Sequence, residues 1–484
     1  MSERLEHLEP HMAIPYGGDR ITRVPPELAA TFAAGDRLIV LQNDGRLLHV
    51  PREAQIIAQT AVTRAREAFE TLQRADDDAI SGFFARFAER LEDRAIWAEI
   101  AEINTADVAR ARAAGRSITR LIASETLRAD MIAGLRSWRD AAPGRGRVAE
   151  RLNHGNWSVE LITAPLGVVG FVFEGRPNVL ADAAGVIRSG DSVVFRIGSD
   201  ALETARAMMR LALRPALTEA GLPEAAALLL ESPAHAAGWA LFNDSRLSLA
   251  VARGSGPAVA QLGQIARQAG TPVSLHGTGG AWLLAHHTAD PARLEALIAA
   301  SLDRKVCNTL NVCLLPRSQA EQLLPAVLAG LEAAGAARGV RPRLHAGPQA
   351  WPLLPSAHPP AEPIAREDLG TEWEWDEVPE LSLEIVEDLD EAISLFNRLS
   401  PRFVASVIAR DEAVIDQAFD ALDAAFVGDG FTRWVDGQFA LGRPELGLAN
   451  WQGGRLLARG GILSGDGVFT LKTRMRQGSG GMRR

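Results

Sequence analysis

The chain has 484 residues, of which 47% are hydrophobic and 23% are charged, so it is long enough for two or three globular domains with large cores. Only two cysteines are present, which excludes a disulfide framework and favours a reducing, cytoplasmic location. The net charge is −9 and no basic stripe is visible, so nucleic acid is not expected as a partner. No apolar run approaches the ~20 residues of a membrane span, and the charged N-terminus does not resemble a signal peptide, so a membrane is not expected as a partner either.

The first 54 residues differ in pattern from the rest and are predicted to form an N-terminal extension. Within it, residues 37–42 and 46–50 flank Asn43-Asp44-Gly45, a turn sequence typical of a two-stranded hairpin. From residue 54 to 138, apolar residues recur at three- and four-residue steps, which predicts several consecutive helices. The Gly- and Pro-containing stretch 141–146 then interrupts this pattern and is predicted to be a linker.

The next region alternates short apolar segments with helical ones. Five strands are predicted, over residues 167–173, 192–196, 227–230, 247–252 and 272–275. Short buried strands joined by helices are typical of a parallel, doubly wound sheet of the Rossmann type, in which ligands bind beyond the carboxyl ends of the strands. The first helix of this region is predicted to begin at Pro177 and to run to Gly190.

A polar turn follows the first of these strands. Arg176 and Asn178 lie where backbone N–H groups and the positive end of a helix dipole attract an anion. An Asn amide at such a place can stabilise an oxyanion. Asn and Pro are also common in ordinary turns, so both interpretations stay open.

Two further turns are predicted to hold the phosphates of a nucleotide. They are Arg196-Ile197-Gly198-Ser199 after the second strand and Arg253-Gly254-Ser255 after the fourth. Glycine lets a ligand approach the backbone closely, and Arg196 suits the adenosine 2′-phosphate of NADPH. A solvated loop is the alternative at the first turn, and the second is only a fragment of a glycine fingerprint.

Cys307 lies in the mixed α/β remainder of the chain, directly after Arg304, Lys305 and Val306. Two neighbouring cations favour the thiolate, which is the nucleophilic form of cysteine. A buried structural cysteine is the alternative. Cys313 lies within an apolar segment and is predicted to belong to the core. No metal site is predicted, because the ten histidines are scattered without ligand spacing.

Several blocks in order along the chain resemble the γ-glutamyl phosphate reductase (glutamate-5-semialdehyde dehydrogenase) branch of the aldehyde dehydrogenase superfamily. They are PLGVVGFVFEGRPNV (165–179), SGDSVVFRIGSDA (189–201), VCNTLNVCLL (306–315), EDLDEAISLFN (387–397), FTRWVDGQFALGRPELGL (431–448) and LLARGG (456–461). The likeness runs from about residue 54 to 477, and the ordered set is more specific than any single block.

The resemblance implies an α/β, aldehyde-dehydrogenase-like fold. A Rossmann-type, doubly wound NADP-binding domain is expected over residues 55–147 and 163–275, after an extension of residues 1–54. An α/β catalytic domain is expected over 276–449. Small β segments for oligomerisation are expected over 148–162 and 450–484, in a homodimer or homotetramer.

The resemblance also implies a function, the NADPH-dependent reduction of γ-glutamyl phosphate to glutamate 5-semialdehyde and phosphate in proline biosynthesis. Cys307 would form a thioester, and its backbone N–H and the Asn178 amide would hold the oxyanion. Oxidising aldehyde dehydrogenases carry a general-base Glu in a Leu-Glu-Leu-Gly-Gly motif, where this chain reads VSLHG (273–277). Glu374 is a further predicted cofactor-binding residue. The predicted substrate-binding residues are Arg176, His276, Asn308 and Arg433.

The chain departs from the family pattern at several positions. Gly175 replaces a Ser, Asn311 replaces a Glu, and DGFTRW (429–434) replaces Asn-Ala-Ser-Thr-Arg-Phe. Two alternatives therefore stay open. One is a paralogous reductase of another acyl phosphate or of an acyl-CoA thioester, and the other is a non-catalytic nucleotide-binding or assembly subunit.

Overall fold

A computed structural model describes residues 4–116, 118, 120–356, 359–435, 440, 442, 445–448 and 462–478. The chain forms two compact units. The first unit comprises Met1–Gly277, Arg443–Leu448 and Ile462–Arg484, and the second comprises Thr278–Gly442 and Ala449–Gly461.

The N-terminal extension contains two small antiparallel sheets. Its elements are β1 (Ala13–Tyr16), β2 (Arg20–Arg23), α1 (Pro26–Thr31), β3 (Arg37–Val40) and β4 (Leu47–Val50). The predicted hairpin is confirmed by the pairing of β3 with β4. A second hairpin, which the sequence analysis did not predict, is formed by the pairing of β1 with β2. These two strands are largely exposed, so they lack the apolar alternation that reveals a strand in a sequence.

Four helices confirm the helical prediction that follows. They are α2 (Arg52–Leu72), α3 (Asp77–Glu92), α4 (Arg94–Ala113) and α5 (Glu125–Asp140). On α3 the buried residues Ile80, Phe83 and Phe87 recur at three- and four-residue steps, which places them on one face. The Asp93 side chain accepts from the first N–H groups of α4 and fixes where that helix begins.

The predicted doubly wound sheet is confirmed by five parallel strands in the order β11-β10-β7-β8-β9. The strands of this region are β5 (Val148–Asn153), β6 (Trp157–Pro165), β7 (Val168–Phe173), β8 (Ser192–Ile197), β9 (Ala227–Leu229), β10 (Leu249–Arg253) and β11 (Val273–His276). The helices are α6 (Val179–Ala183), α7 (Leu202–Met208), α8 (Arg214–Glu219), α9 (His235–Phe242) and α10 (Gly256–Gln268). The strand order reverses between β7 and β10, which creates a crevice at their carboxyl ends.

The helix predicted from Pro177 to Gly190 differs from the expectation. α6 has only five residues, and Ala184–Ser189 continue as a tighter 3₁₀ helix that ends at Gly190 with φ +84°. Every residue of this 3₁₀ segment is buried. Tertiary packing, rather than helical propensity, therefore decides how the backbone winds here.

The second unit is built on a seven-stranded parallel sheet in the order β15-β14-β16-β13-β12-β17-β18. Its strands are β12 (Ala281–Ala285), β13 (Leu310–Pro316), β14 (Arg343–Ala346), β15 (Ala361–Pro363), β16 (Glu380–Val386), β17 (Val404–Ile408) and β18 (Phe426–Gly428). Its helices are α11 (Pro291–Ser301), α12 (Ala320–Ala337), α13 (Leu389–Leu399) and α14 (Glu412–Ala421). β13 is the central strand, so the turn that carries Cys307 lies at the amino end of the middle of this sheet.

The remaining strands are β19 (Glu445–Leu448), β20 (Ile462–Ser464) and β21 (Phe469–Gln477). β19 pairs with β20, and β21 pairs with β6 in a three-stranded sheet with β5. Of the segment predicted to serve oligomerisation, residues 450–461 and 479–484 lie outside the described residues. In the described part of the chain, no helix is both long enough and apolar enough to cross a membrane.

Candidate active site

One group of predicted site residues lies at the carboxyl edge of the five-stranded sheet of the first unit. The Glu174 N–H donates to the Arg253 carbonyl (3.1 Å), and the Gly254 N–H donates to the His276 carbonyl (3.1 Å). These bonds tie together the turns after β7, β10 and β11. The predicted residues that the structure places at this edge are Arg176, Asn178, Arg196, Gly198, Ser199, Arg253, Gly254, Ser255 and His276.

Arg196 is the last residue but one of β8 and is only 5% exposed. Its Nη2 donates to the Pro233 carbonyl (2.9 Å), whereas its Nε has no hydrogen-bond partner among the described residues. Burial lowers the pKa of the guanidinium, because the charged form loses solvation. A buried cation with an unused N–H attracts an anion, so the residue is not the solvated loop arginine of the alternative interpretation.

The backbone around Gly198 leaves no room for a side chain at this position. A Cβ on Gly198 would lie 2.9 Å from the Gly175 nitrogen, a distance that forces the backbone to move. Ser199 is exposed directly after it. Ser255 is exposed at the N-terminus of α10, where its side chain makes no capping hydrogen bond. Open N–H groups at the start of a helix favour a phosphate at this place.

Asn178 precedes α6, and its amide is held by a carboxylate. Asn178 Nδ2 donates to Asp182 Oδ2 at 2.7 Å. Asp182 keeps part of its surface exposed, yet desolvation raises the pKa of its carboxyl to about 6. The positive charges of Arg253 and Arg176 act in the opposite direction. The sequence indicated Asn178 but gave no reason to select Asp182.

Cys307 belongs to the second unit and lies half-buried on the turn before β13. Gly280 N–H donates to the Cys307 carbonyl at 2.8 Å. The Thr309 hydroxyl donates to the Arg304 carbonyl (2.6 Å) and accepts from the Val306 N–H (2.8 Å). The thiol is therefore carried on a turn that its own backbone and Thr309 hold closed.

Gly279 packs directly against this turn. A Cβ at position 279 would lie 2.5 Å from the Cys307 carbonyl oxygen and 2.8 Å from its Cα. Only glycine fits there without displacing the cysteine. The glycines after β11 thus have a packing role beside Cys307, which the sequence did not indicate.

The positive charge of Lys305, two residues before Cys307, is compensated by a carboxylate. Lys305 Nζ lies 2.6 Å from Glu372 Oε1, and its side chain is only 5% exposed. The other carboxylate oxygen of Glu372 accepts from the Gly279 N–H at 2.6 Å. Glu374, predicted to bind the cofactor, is 4.0 Å from Lys305 Nζ and 67% exposed. Glu372, which sequence reasoning missed, is an acidic residue in direct contact with Lys305 and Gly279 beside Cys307.

Asn308 and Arg433 form a buried pair with Asp303. Asn308 is fully buried, and its Oδ1 accepts from Arg433 Nη1. Arg433 is 6% exposed, and its Nε donates to Asp303 at 2.7 Å. Asn308 Nδ2 has no partner among the described residues. Two of the Arg433 donor atoms thus face protein groups, and the substrate-binding role of both residues stays a prediction.

Asn311 explains one departure from the family pattern. Its Nδ2 donates to the Thr371 carbonyl (2.8 Å), and its Oδ1 accepts from the Trp373 N–H (3.0 Å). A glutamate can accept from the backbone but cannot donate to it when ionised. Asn311 therefore fixes both neighbours of Glu372 in a way that the Glu usual at this position does not.

Cys313 is confirmed as a core residue, since it is fully buried in β13. Burial raises the pKa of its thiol, which makes it unreactive. No group of three or more metal-ligating side chains occurs among the residues that the structure describes.

Comparison with known proteins adds a family match. Residues 41–352 match the model of the aldehyde dehydrogenase family. A γ-glutamyl phosphate reductase of Rhodopseudomonas palustris (strain BisB18) is 31% identical over 374 residues, which are 75% of this chain and 81% of the relative. Another, of Afipia carboxidovorans, is 31% identical over 421 residues, which are 84% of this chain and 92% of the relative.

The fold has a counterpart among solved structures. The crystal structure of γ-glutamyl phosphate reductase from Thermotoga maritima aligns with a TM-score of 0.77 at 23% identity, over 88% of this chain and 100% of that chain. The predicted aldehyde-dehydrogenase-like α/β fold is confirmed by this likeness.

Proposed function

The chain belongs to the aldehyde dehydrogenase family, in the branch of the γ-glutamyl phosphate reductases, and from this premise we propose that it reduces γ-glutamyl phosphate to glutamate 5-semialdehyde and phosphate. The observation that carries the proposal is the half-exposed Cys307 on its closed turn. A cysteine that is only partly buried and lies on a closed turn suits a nucleophile, whereas the fully buried Cys313 does not.

The chemistry of the chain's own residues follows from this assignment. The Cys307 thiolate attacks the acyl carbon, the bond from that carbon to the phosphate oxygen breaks, and inorganic phosphate leaves. A thioester on Cys307 remains. The thioester on Cys307 would then be reduced to a thiohemiacetal by the hydride that a reduced nicotinamide supplies when bound. The carbon–sulfur bond then breaks, the aldehyde is released, and Cys307 is restored.

Oxyanion stabilisation is assigned to the Asn178 amide and the Cys307 N–H. Asp182 takes one of the two N–H bonds of the amide, which leaves the other for the oxyanion. Donors that are already oriented before reaction lower the barrier most, because they need no reorganisation.

The residues at the end of β11 favour exchange of the acyl group with phosphate over its hydrolysis by water. His276 occupies this position, and no Glu lies between Val273 and Gly277. A general base that would activate water is therefore missing from this segment, and the thioester is spared hydrolysis. An acyl-CoA thioester remains the alternative substrate, since a thiol is a comparable leaving group.

The cofactor of this family is a nicotinamide dinucleotide, and Arg196 supports NADPH over NADH. The unused Nε of Arg196 and the close backbone at Gly198 fit a phosphate group. Arg176, on the turn after β7, is proposed to bind the anionic end of the substrate, because a guanidinium matches a carboxylate or a phosphate in a bidentate way. Two donor atoms of Arg433 already face Asp303 and Asn308. Glu374, Arg253, Gly254 and Ser255 keep their predicted cofactor role as part of this proposal.

Replacing Arg196 with alanine is expected to raise the KM for NADPH about 10- to 100-fold and to change the KM for NADH much less, because a hydrogen bond to a charged group contributes about 1.5–3 kcal/mol. Steady-state kinetics with both cofactors measure the difference. Arg206→Ala is the matched control, because Arg206 on α7 is paired with Glu203 and Glu231. An equal loss with both cofactors would contradict the phosphate role.

The assembly is proposed to be a homodimer or homotetramer in the cytoplasm. All six residues of β5 are exposed, and β5 is one of the two edge strands of the sheet with β6 and β21. An exposed edge presents unpaired N–H and C=O groups to a strand of another subunit. Light scattering coupled to size exclusion measures the subunit number directly.

The function is tested in the reverse direction, which avoids the labile acyl phosphate. Purified protein with glutamate 5-semialdehyde and NADP⁺ is expected to form NADPH only when inorganic phosphate is added. Coenzyme A in place of phosphate is the comparison. Turnover with coenzyme A and none with phosphate would replace the leading function by the acyl-CoA alternative, and no turnover with either would favour a non-catalytic subunit.

A further inference from the structure

We propose that Asp182 is a positioning residue for the reduction, which holds the Asn178 amide so that its nitrogen, and not its oxygen, faces the oxyanion. The proposal rests on the proposed function, since it assigns Asp182 a part in the same oxyanion site.

The geometry separates this role from ordinary turn chemistry. An asparagine that caps a helix accepts backbone N–H bonds with its side-chain oxygen. Asn178 makes no such cap bond, and its backbone is already helical, with φ −74° and ψ −12°. Its nitrogen instead donates to Asp182, one turn further along the chain. The side chain is therefore used for something other than starting α6.

The hydrogen-bonding chemistry of the Asp182 carboxylate allows only one orientation of the Asn178 amide. An ionised carboxylate can only accept hydrogen bonds, so the amide nitrogen is the only part of Asn178 that can face it. A flipped amide would direct its oxygen at the carboxylate and also at the oxyanion, and both contacts would be repulsive. Asp182 thus excludes the unproductive orientation of Asn178 before the substrate binds.

The charged groups around Asp182 determine the pH range in which its carboxylate can orient the Asn178 amide. Desolvation raises the pKa of its carboxyl to about 6, and the negative charge of Asp130 on α5 adds to this. Arg253 at the end of β10 and Arg176 on the turn after β7 lower the pKa. At neutral pH the carboxylate is ionised and accepts only. Below about pH 6 it gains a proton and no longer discriminates between the two amide orientations.

A double-mutant cycle tests the proposal. Asp182→Ala is expected to lower kcat about 10- to 100-fold with little change in KM, because a misoriented donor loses most of its transition-state stabilisation. In the Asn178→Ala background the same change is expected to lower kcat less than about twofold, because the group that Asp182 positions is already gone. Additive losses, or an Asp182→Ala variant with unchanged kcat, would overturn the proposal.

A second variant covers the case in which Asp182→Ala fails to fold. Asp182→Asn has the same shape but, like the protonated acid, both donates and accepts, so its kcat at neutral pH is expected to match the low value that the parent shows well below pH 6. It cannot titrate, and the fall in kcat that the parent shows below about pH 6 should disappear. Persistence of that acidic limb in Asp182→Asn would assign it to another group and remove Asp182 from the site.

Asp191→Asn is the matched control. Asp191 is a buried carboxylate of the same unit whose hydrogen bonds go to the N–H groups of Leu166 and Gly167. Asp191→Asn should alter the thermal stability. Its effect on kcat should simply add to the effect of Asn178→Ala. The parent enzyme's phosphate-dependent turnover decides the proposed function separately, so failure of the cycle in an active enzyme counts against Asp182 alone.

Discussion

Serine in place of Cys307 is expected to lower kcat by at least about 10³-fold while the fold stays intact, because removing a covalent nucleophile removes the whole acyl-transfer route. A serine hydroxyl is almost entirely protonated at neutral pH and is a much weaker nucleophile than a thiolate. The turn itself should survive, since its hydrogen bonds come from Gly280, Thr309 and the backbone. Phosphate-dependent NADPH formation and thermal unfolding measure the two effects.

Cys313→Ala is the control for a general loss of thiol. Cys313 is fully buried in β13, so its truncation is expected to cost about 1 kcal/mol of stability and to leave kcat within about twofold. Iodoacetamide should modify Cys307 and spare Cys313, whose thiol pKa is raised by burial. Turnover of Cys307→Ser at the parent's rate would exclude Cys307 as the nucleophile and return it to the structural role of a packed cysteine.

The strands of the five-stranded sheet were predictable because their signal is local. β7, β8, β10 and β11 are buried apolar runs that end in Gly, Pro or charged residues, and each lies within about two residues of its predicted bounds. The exposed strands β1 and β2 have no such run and were missed. Local pattern reveals a strand only where the sheet buries it.

The surroundings of Cys307 were not predictable, because they are made by contacts between distant parts of the chain. Lys305 suggested a cation that activates the thiol, yet Glu372, 67 residues further on, compensates its charge. Arg433 suggested a substrate clamp, yet it bonds to Asn308, 125 residues earlier in the chain. A single sequence shows which charges exist and does not show which of them neutralise each other.

Asp182 illustrates the same limit within one turn of helix. Asn178 and Asp182 are four residues apart, a spacing at which side chains meet on a helix. In the sequence this Asp is one of many acidic residues in helical segments, and nothing local distinguishes it. Only the structure shows that it is desolvated, bonded to the amide and close to two arginines.

Asn178→Ala is expected to lower kcat about 10²- to 10³-fold with little change in KM, the loss usual for one oxyanion donor. Asn178→Asp should be worse still, since a carboxylate there would repel both Asp182 and the developing oxyanion. Asn397→Ala is the matched control, because Asn397 on α13 bonds to the Ala421 carbonyl and to the Asp423 N–H. A rise in KM with unchanged kcat would instead make Asn178 a substrate-binding residue. The kcat-selective loss is the expected one, because a donor that Asp182 orients in advance acts mainly on charge that exists only in the transition state.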